Sequence, residues 1–510
     1  MVFIEAENYQ FYYPEQIEAA ISIEHCRIYQ GAVCLIAGPS GCGKTTFLRQ
    51  LAGIAGIQGE QKGILVNHAK ETAYVWQDIE NQIVTDTVRY EILFGMENKG
   101  MPQNQMKRRL AEVVTAFGLE ELAGRNTMDL SGGEKQLLNV ASSLAMNPDL
   151  IILDEPTSQL DPVAAVRLFD LLRRINEELG VTILIAEQRL EDLVPLADQM
   201  ICMEAGEIVA DGRPCDVLSK VFSTESESLF PAYMRMAPGI LTKKDARLWF
   251  ESHYQAREET ACAKKSLCGN RRTESVVIKK LCFRYEKKGK NILNECSAIL
   301  PAGKTTCLLG GNGSGKTTLL RLLDRQIYAC RGKILPDSVR TSYLPQNPVW
   351  LFLEESVQAE CAVMTEQGQK LVNRFGLSRM MHRHPLDLSG GEKQRLALAH
   401  VLGKEAEMYL LDEPTKGLDA KMKCILGEVI GSLAMKGKTV LIVSHDMEFI
   451  AHYADQICFL YEGQIVVQTD TRDFFEENQY YTTSINRVTR RVSPHIITIE
   501  DVEHYAEKSN

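Results

Sequence analysis

Nine residues, Gly38-Pro39-Ser40-Gly41-Cys42-Gly43-Lys44-Thr45-Thr46, have the types and spacing needed to hold phosphate. Glycines let the backbone wrap so that several N–H groups point inward, and a following helix adds its positive N-terminus. In this pattern the lysine supplies a point charge to the β- and γ-phosphates, and the Thr45 hydroxyl is a Mg²⁺ ligand. The pattern returns as Gly310-Gly311-Asn312-Gly313-Ser314-Gly315-Lys316-Thr317-Thr318. Each copy follows an apolar run and precedes a helical pattern, the context such a loop needs.

Two acid pairs come next. Asp154 and Asp412 each end an apolar run, and Glu155 and Glu413 follow them. An aspartate there can hold Mg²⁺ directly or through water. Strand neighbours point to opposite faces. The glutamate must therefore lie at the strand end to reach the γ-phosphate, where it is a candidate general base for water. Leu-Ser-Gly-Gly-Glu-Lys-Gln occurs twice, at Leu130–Gln136 and Leu388–Gln394. Ser131, Gly132 and Gly133, like Ser389, Gly390 and Gly391, open a predicted helix, where free N–H groups form an anion site. A serine there is also an ordinary helix cap.

The elements that must carry these groups are written twice, in the same order. Lys44 and Lys316 stand 272 positions apart, but Asp154 and Asp412 only 258, so the second half is shorter between loop and acid. Three of those residues are lost before Gln346, the counterpart of Gln77, and the rest after it. Short apolar runs (Ala32–Ala37, Leu150–Asp154, Thr182–Ala186, Met408–Asp412, Thr439–Val443) alternate with helical patterns. That alternation predicts an α/β fold: two phosphate-loop domains, each a mostly parallel sheet with flanking helices. Hairpins are expected at Ile201–Val209 and Ile457–Val467, turning at Gly206 and Gly463. The expected domains are 2–220 and 275–485, with a linker at 221–274 and a C-terminal tail at 486–510. The linker carries a basic run, Lys264, Lys265, Arg271 and Arg272.

Of the 510 residues, 57 are Lys or Arg and 67 Asp or Glu, a net charge of −10. That balance argues against nucleic acid as the main partner. The 14 cysteines are scattered with no CxxC pair, which favours reduced thiols over a zinc or disulfide framework. No run approaches the roughly 20 apolar residues of a membrane span, and the first residues lack a secretory pattern. A cytosolic chain that touches a membrane through a partner is expected.

The duplicated phosphate loops, Leu-Ser-Gly-Gly-Glu segments and Leu-Asp-Glu-Pro-Thr runs resemble a tandem ATP-binding cassette protein. The likeness covers nearly the whole chain outside the linker. It implies a helical subdomain and an antiparallel β portion in each domain, and ATP bound with Mg²⁺ at two composite sites as the two domains pair within one chain. One site would join Lys44, Thr45, Gln77, Asp154 and Glu155 to Ser389, Gly390 and Gly391. The other would join Lys316, Thr317, Gln346, Asp412 and Glu413 to Ser131, Gly132 and Gly133. Tyr13 and Tyr285 take the family's adenine-stacking position. His445 matches the histidine that contacts the γ-phosphate, and Gln188 stands in its place in the first half. Glutamine donates a hydrogen bond but carries no proton or charge, so unequal sites are expected. The D-loops differ too, Ser158-Gln159-Leu160-Asp161 against Lys416-Gly417-Leu418-Asp419.

Trp76–Gly95, with Gln82 and the run Thr87–Glu91, is similar to the glutamine-loop region of energy-coupling-factor importers. Gln346–Glu360 and Tyr480–Val502 resemble fused versions of those ATPases. This likeness implies a chain on the cytoplasmic face of the plasma membrane that binds a transmembrane coupling protein, itself engaged with a small membrane substrate-binding protein for a vitamin or transition-metal ion. Asp78, Glu80, Asp86, Glu354 and Glu355 would meet arginines of the coupling protein. Two alternatives fit less well. Sugar-type tandem importers usually have altered signatures and a degraded second site. Ribosome-acting cassette proteins would favour a charged helical linker and more basic charge.

Overall fold

The computed structural model describes residues 1–508 except 15, 17, 55–57, 78, 80–81, 158–159, 161, 189, 223–226, 228, 258–274, 287–288, 290 and 312. The basic run of the linker, the first-half D-loop residues Ser158, Gln159 and Asp161, and the candidates Asp78, Glu80 and Asn312 lie outside the described residues. The chain divides into two compact units, Met1–Thr242 and Lys243–Asn510.

In the first unit, β1 (Val2–Tyr12), β2 (Ile21–Tyr29), β3 (Val33–Ala37), α1 (Lys44–Leu51), β4 (Glu60–Asn67) and β5 (Thr72–Val75) are followed by three helices. These are α2 (Val88–Asn98), α3 (Gln103–Phe117) and α4 (Gly132–Ala145). Next come β6 (Leu150–Asp154), α5 (Pro162–Leu179), β7 (Thr182–Ala186), the hairpin β8 (Gln199–Glu204) and β9 (Glu207–Gly212), and α6 (Pro214–Val221). The main sheet has the order β5-β6-β7-β3-β8-β9, parallel except for the last pair. Strands β3, β6 and β7 are buried at every position, which explains their unbroken apolar runs. A separate antiparallel sheet, β2-β1-β4, packs against α1 through Tyr9, Phe11, Phe47 and Leu48.

The second unit repeats this plan. Its leading elements, α7 (Lys243–His253) and β10 (Tyr254–Ala256), precede β11 (Val276–Phe283), β12 (Leu293–Leu300), β13 (Thr305–Leu309) and α8 (Lys316–Leu323). Then follow β14 (Arg331–Leu335), β15 (Thr341–Leu344), α9 (Val357–Val363), α10 (Glu366–Arg374) and α11 (Gly390–Gly403). The rest is β16 (Met408–Asp412), α12 (Ala420–Met435), β17 (Thr439–Val443), α13 (Met447–Tyr453), β18 (Gln456–Tyr461), β19 (Gln464–Asp470), α14 (Thr471–Glu477), α15 (Ser484–Thr489) and a final strand β20 (Ala506–Lys508). The sheet β15-β16-β17-β13-β18-β19 has the same order of equivalent strands. Both hairpins turn at the glycines the sequence marks, Gly206 and Gly463, with φ of 87° and 77°.

Most of the shortening of the second half falls in the helical subdomain. Helix α9 has 7 residues where α2 has 11, and α10 has 9 where α3 has 15. Helices α2, α3 and α4 share a core of Val88, Ile92, Met96, Leu110, Val113 and Leu138. Each such buried side chain contributes about 1.5–3 kcal/mol.

The expected linker is not one uniform segment. Phe230, Ala232, Tyr233, Met234 and Ile240 are buried in the first unit, whose structure thus runs past residue 220. Residues from Lys243 belong to the second unit: α7 packs on α15, and β10 pairs with β20. The expected tail is likewise built in, with Val488, Ile496 and Ile497 buried. Weak periodicity concealed these residues because their apolar positions are anchored by distant partners.

Candidate functional site

In each unit the phosphate-loop residues sit between the end of a central strand and a helix. Gly43 and Gly315 precede α1 and α8 with φ of 102° and 103°, a region closed to side-chain-bearing residues without strain. Gly38 has a different reason: a Cβ there would lie 2.4 Å from the Met203 carbonyl oxygen. The Lys44 ammonium curls back onto the loop and donates to the carbonyls of Gly38 (2.7 Å) and Pro39 (2.9 Å). Lys316 does the same with Gly310 and Gly311, both at 2.9 Å. Burial lowers the Lys316 pKa, while Glu413 and Asp412 oppose that shift.

The threonine and aspartate of each motif, far apart in sequence, meet. Thr45 Oγ1 donates to Asp154 at 3.1 Å, and Thr317 Oγ1 to Asp412 at 2.8 Å. Tyr74, which no sequence motif marks, donates to the other Asp154 oxygen at 3.0 Å. Burial raises both aspartate pKa values, and the threonine hydrogen bonds pull them back. Hard oxygen donors converging beside a phosphate loop suit Mg²⁺, which is typically held by one or two protein oxygens with phosphates and water.

Glu155 and Glu413 leave the strand direction in the left-handed region, with φ of 46° and 51°. Such a conformation costs a non-glycine residue of order 1–3 kcal/mol. It releases each glutamate from strand alternation. The expectation that the acid lies at the strand end is met through this backbone turn. Burial first, then Glu187 and Asp154, push the Glu155 carboxyl up to about 7, against the pull of Lys44 and a Gln188 hydrogen bond. Burial and then Asp412 push Glu413 up to about 8.

The groups around these glutamates differ between units. Gln77 Nε2 donates to Glu155 Oε2 at 2.6 Å, and Gln188 Nε2 donates to Oε1 at 2.7 Å. In the second unit His445 Nε2 stands 3.5 Å from Glu413 Oε1. Gln346 is exposed and, among the described residues, makes no hydrogen bond to Glu413. Another acid, Glu187, was missed although it directly follows the fully buried strand β7, where the second half has Ser444. It accepts from the Thr157 hydroxyl (2.6 Å), the Thr157 N–H (3.2 Å) and the Gln188 N–H (2.9 Å). From this position the Ser444 hydroxyl contacts the Thr415 hydroxyl at 3.2 Å and accepts the Asp446 N–H at 3.1 Å.

Tyr13 and Tyr285 lie beside the loops. Their hydroxyls contact Thr46 (2.9 Å) and Thr318 (3.3 Å), and each ring meets a phenylalanine edge-on, Phe11 and Phe283. Tyr285 is 58% exposed, so its ring face is accessible.

Ser131 and Ser389 do not join these clusters. Both are exposed at helix starts and form full capping boxes, with Glu134 and Glu392. Within its own unit each serine therefore serves as the cap of its helix.

Past the glutamine loops, the Thr-Val-x-x-Glu spacing has a local cause. Thr87 caps α2, and the buried Glu91 carboxylate accepts the N–H groups of Val84 (3.1 Å) and Thr85 (2.8 Å). Glu360 does the same for Leu353 and Glu354 after Ser356 caps α9. Each loop is thus folded onto its helix start by one buried acid. Gln82 ties the preceding backbone, accepting from the Trp76 N–H at 3.0 Å and donating to the Tyr74 carbonyl at 3.1 Å.

The sequence profile of the ABC transporter family matches residues 24–158 and, again, 293–416. This chain belongs to that family. A Bacillus thuringiensis protein assigned as an ABC transporter ATP-binding protein is 36% identical over 98% of this chain and 97% of its own length. A Methanosarcina mazei protein assigned the same way is 32% identical over 92% and 89%. Among solved structures, the RNase-L inhibitor matches with a TM-score of 0.59 at 21% identity, over 99% of this chain and 96% of its own. A chain in the complex of an archaeal ribosomal stalk protein with a ribosome recycling factor has the same score and identity, over 94% and 92%. At that identity these structures describe fold alone. The chain is a tandem ABC ATPase with an ATP-binding cassette in each unit. Among the described residues no helix is long and apolar enough to cross a membrane.

Proposed function

We propose that this ATPase powers uptake of a small nutrient, a vitamin or transition-metal ion, through an energy-coupling-factor transporter, from the cytoplasmic face of the plasma membrane. The observation that carries the reading is the pair of acid-folded loops after the glutamine residues. Glu91 and Glu360 each fold a loop flanked by exposed apolar side chains: Val84, Tyr90 and Phe94 in one unit, Trp350 and Leu353 in the other. Large exposed apolar groups beside acids suit docking of partner helices that carry both apolar and cationic residues. Asp86 and Glu355 are exposed there.

In this reading each ATP is held by the phosphate loop of one cassette and by the signature segment of the other. Ser131 and Ser389 are exposed and unused by their own clusters, which suits that task. Residues 38–46 and 310–318 cradle the phosphates, and Tyr13 and Tyr285 stack on adenine. Thr45 with Asp154, and Thr317 with Asp412, would hold Mg²⁺, which neutralises phosphate charge when bound. Glu155 and Glu413 orient water. As its oxygen bonds to the γ-phosphorus, a glutamate takes the proton and the bridge to the β-phosphate breaks, leaving ADP and phosphate. Gln77, Gln346, Gln188 and His445 donate to the γ-phosphate or the water. ATP favours the closed pair of cassettes, and phosphate loss removes that preference, so docked membrane helices follow the cycle.

Affinity purification of the tagged chain from detergent-solubilised membranes, followed by mass spectrometry, tests this. A multi-span coupling protein with a small hydrophobic binding protein is expected, and the latter identifies the nutrient. Recovery of ribosomal proteins with no membrane partner overturns the importer reading.

A further inference from the structure

The helix after His445 is held by the C-terminal part of the chain. Asp446 caps α13, accepting the Phe449 N–H at 3.0 Å, and pairs with Lys423 of α12 at 2.7 Å. Three residues after the histidine, Glu448 Oε1 accepts both the N–H and the hydroxyl of Ser484, each at 2.7 Å. One turn further, His452 Nε2 lies 3.3 Å from Glu500. Helix α13 has only seven residues, too few to hold a conformation without tertiary contacts. These anchors, together with the buried Phe449 and Ile450, hold the helix in position, and with it the histidine at its entrance.

The anchor is itself rigidly seated. Thr483, Asn486 and Thr489 are fully buried. Thr483 Oγ1 donates to the Ile497 carbonyl at 2.6 Å, and Asn486 Nδ2 donates to those of Pro494 and Ile496 at 2.8 Å. Asp501 accepts from Ile497 (3.0 Å), Thr498 (2.9 Å) and Arg472 (2.9 Å). A fully satisfied buried polar network specifies one arrangement. The first unit does this differently. Three residues after Gln188 stands Glu191, whose backbone carbonyl accepts from Tyr233 at a long 3.5 Å, and a short 3-10 turn at Val194–Leu196 replaces the helix.

We infer that Glu448 is a positioning residue for His445, held in place by Ser484, so that the C-terminal segment is part of the second cassette's catalytic support. The inference rests on His445 acting on ATP in the second site. A placement error of about 1 Å at a reacting group can cost about 10²-fold in rate. A partial loss is therefore expected from removing one anchor.

The test measures steady-state ATPase of the full chain for S484A, E448Q, S484T, H445A and the double change H445A/S484A. Expected are roughly 3–10-fold losses of kcat for S484A and E448Q with the KM for ATP within about twofold, a fraction of the full cost of displacement. S484T, which keeps the hydroxyl, retains the wild-type rate, and S484A adds no loss to H445A. If H445A lowers kcat but S484A and E448Q do not, or if S484A costs the same factor with and without His445, the positioning role is overturned. If H445A leaves kcat unchanged, the role of His445 and this inference both fail. S484A keeps the backbone donor, so the result does not depend on E448Q folding.

Discussion

The Gln188 side-chain amide donates to the Glu155 carboxylate at 2.7 Å, so one oxygen of the first cassette's candidate base is already engaged by a neutral group. Gln77 engages the other at 2.6 Å. Glu413 faces His445 at 3.5 Å and carries no such pair of amide donors among the described residues. A carboxylate whose two oxygens each accept a short hydrogen bond is a weaker acceptor for a water proton.

Unequal turnover follows. E413Q should remove most ATPase activity, by about 10²-fold or more, the scale of losing one transition-state group. E155Q should remove less than half. Q188H should raise activity above wild type. Steady-state phosphate release from the purified chain decides, and equal losses from the two glutamate changes would sink the asymmetry.

Stability of the nucleotide-free, Mg²⁺-free chain should depend on Glu413. The ordinary glutamate value is 4.5, while the folded chain holds this proton up to about 8. Between those values the folded state binds more protons than the unfolded one, so stability falls as pH rises. A tenfold difference in proton affinity between the two states corresponds to about 1.4 kcal/mol. Gln cannot ionise, so E413Q should melt above wild type at pH 9 and close to it at pH 5. A melting difference that is flat across this range would contradict the assignment.

Glu91 folds the first docking loop by accepting two N–H groups. E91A leaves both unmade and should destabilise the first unit by about 1–3 kcal/mol. Retention on membranes should fall with it. E91Q keeps one acceptor oxygen and should lie between. Chemical denaturation and membrane sedimentation read the two effects separately.

Charge reversal at the docking faces should release the chain from membranes. Asp86 and Glu355 are exposed in the two units, on loops held by Glu91 and Glu360. The pair D86K/E355K should sediment with membranes several-fold less than wild type, and more so at low salt, where unfavourable charge contacts are least screened. Undiminished sedimentation would remove these acids from the interface.

Much of the fold and of the site is legible in the sequence alone. The duplicated loops, the acids ending apolar runs and the two hairpins are set by contacts between near neighbours or by strand periodicity, and the sequence carries both directly. For that reason Lys44, Thr45, Asp154 and Glu155 could be grouped from their motifs, as could their second-half counterparts. Three things needed the folded chain. The left-handed turn at Glu155 and Glu413 arises where a strand must deliver two successive acids to one place, which no propensity scale encodes. The roles of Glu187, Tyr74 and Glu448 depend on partners 30 or more positions away, supplied by sheet order and packing. The segments expected as linker and tail became parts of the two units for the same reason. Short, irregular stretches bury Phe230, Tyr233 and Ile497 only because the surface that receives them is assembled from remote residues, and sequence periodicity reports a segment's own face but not the surface it meets.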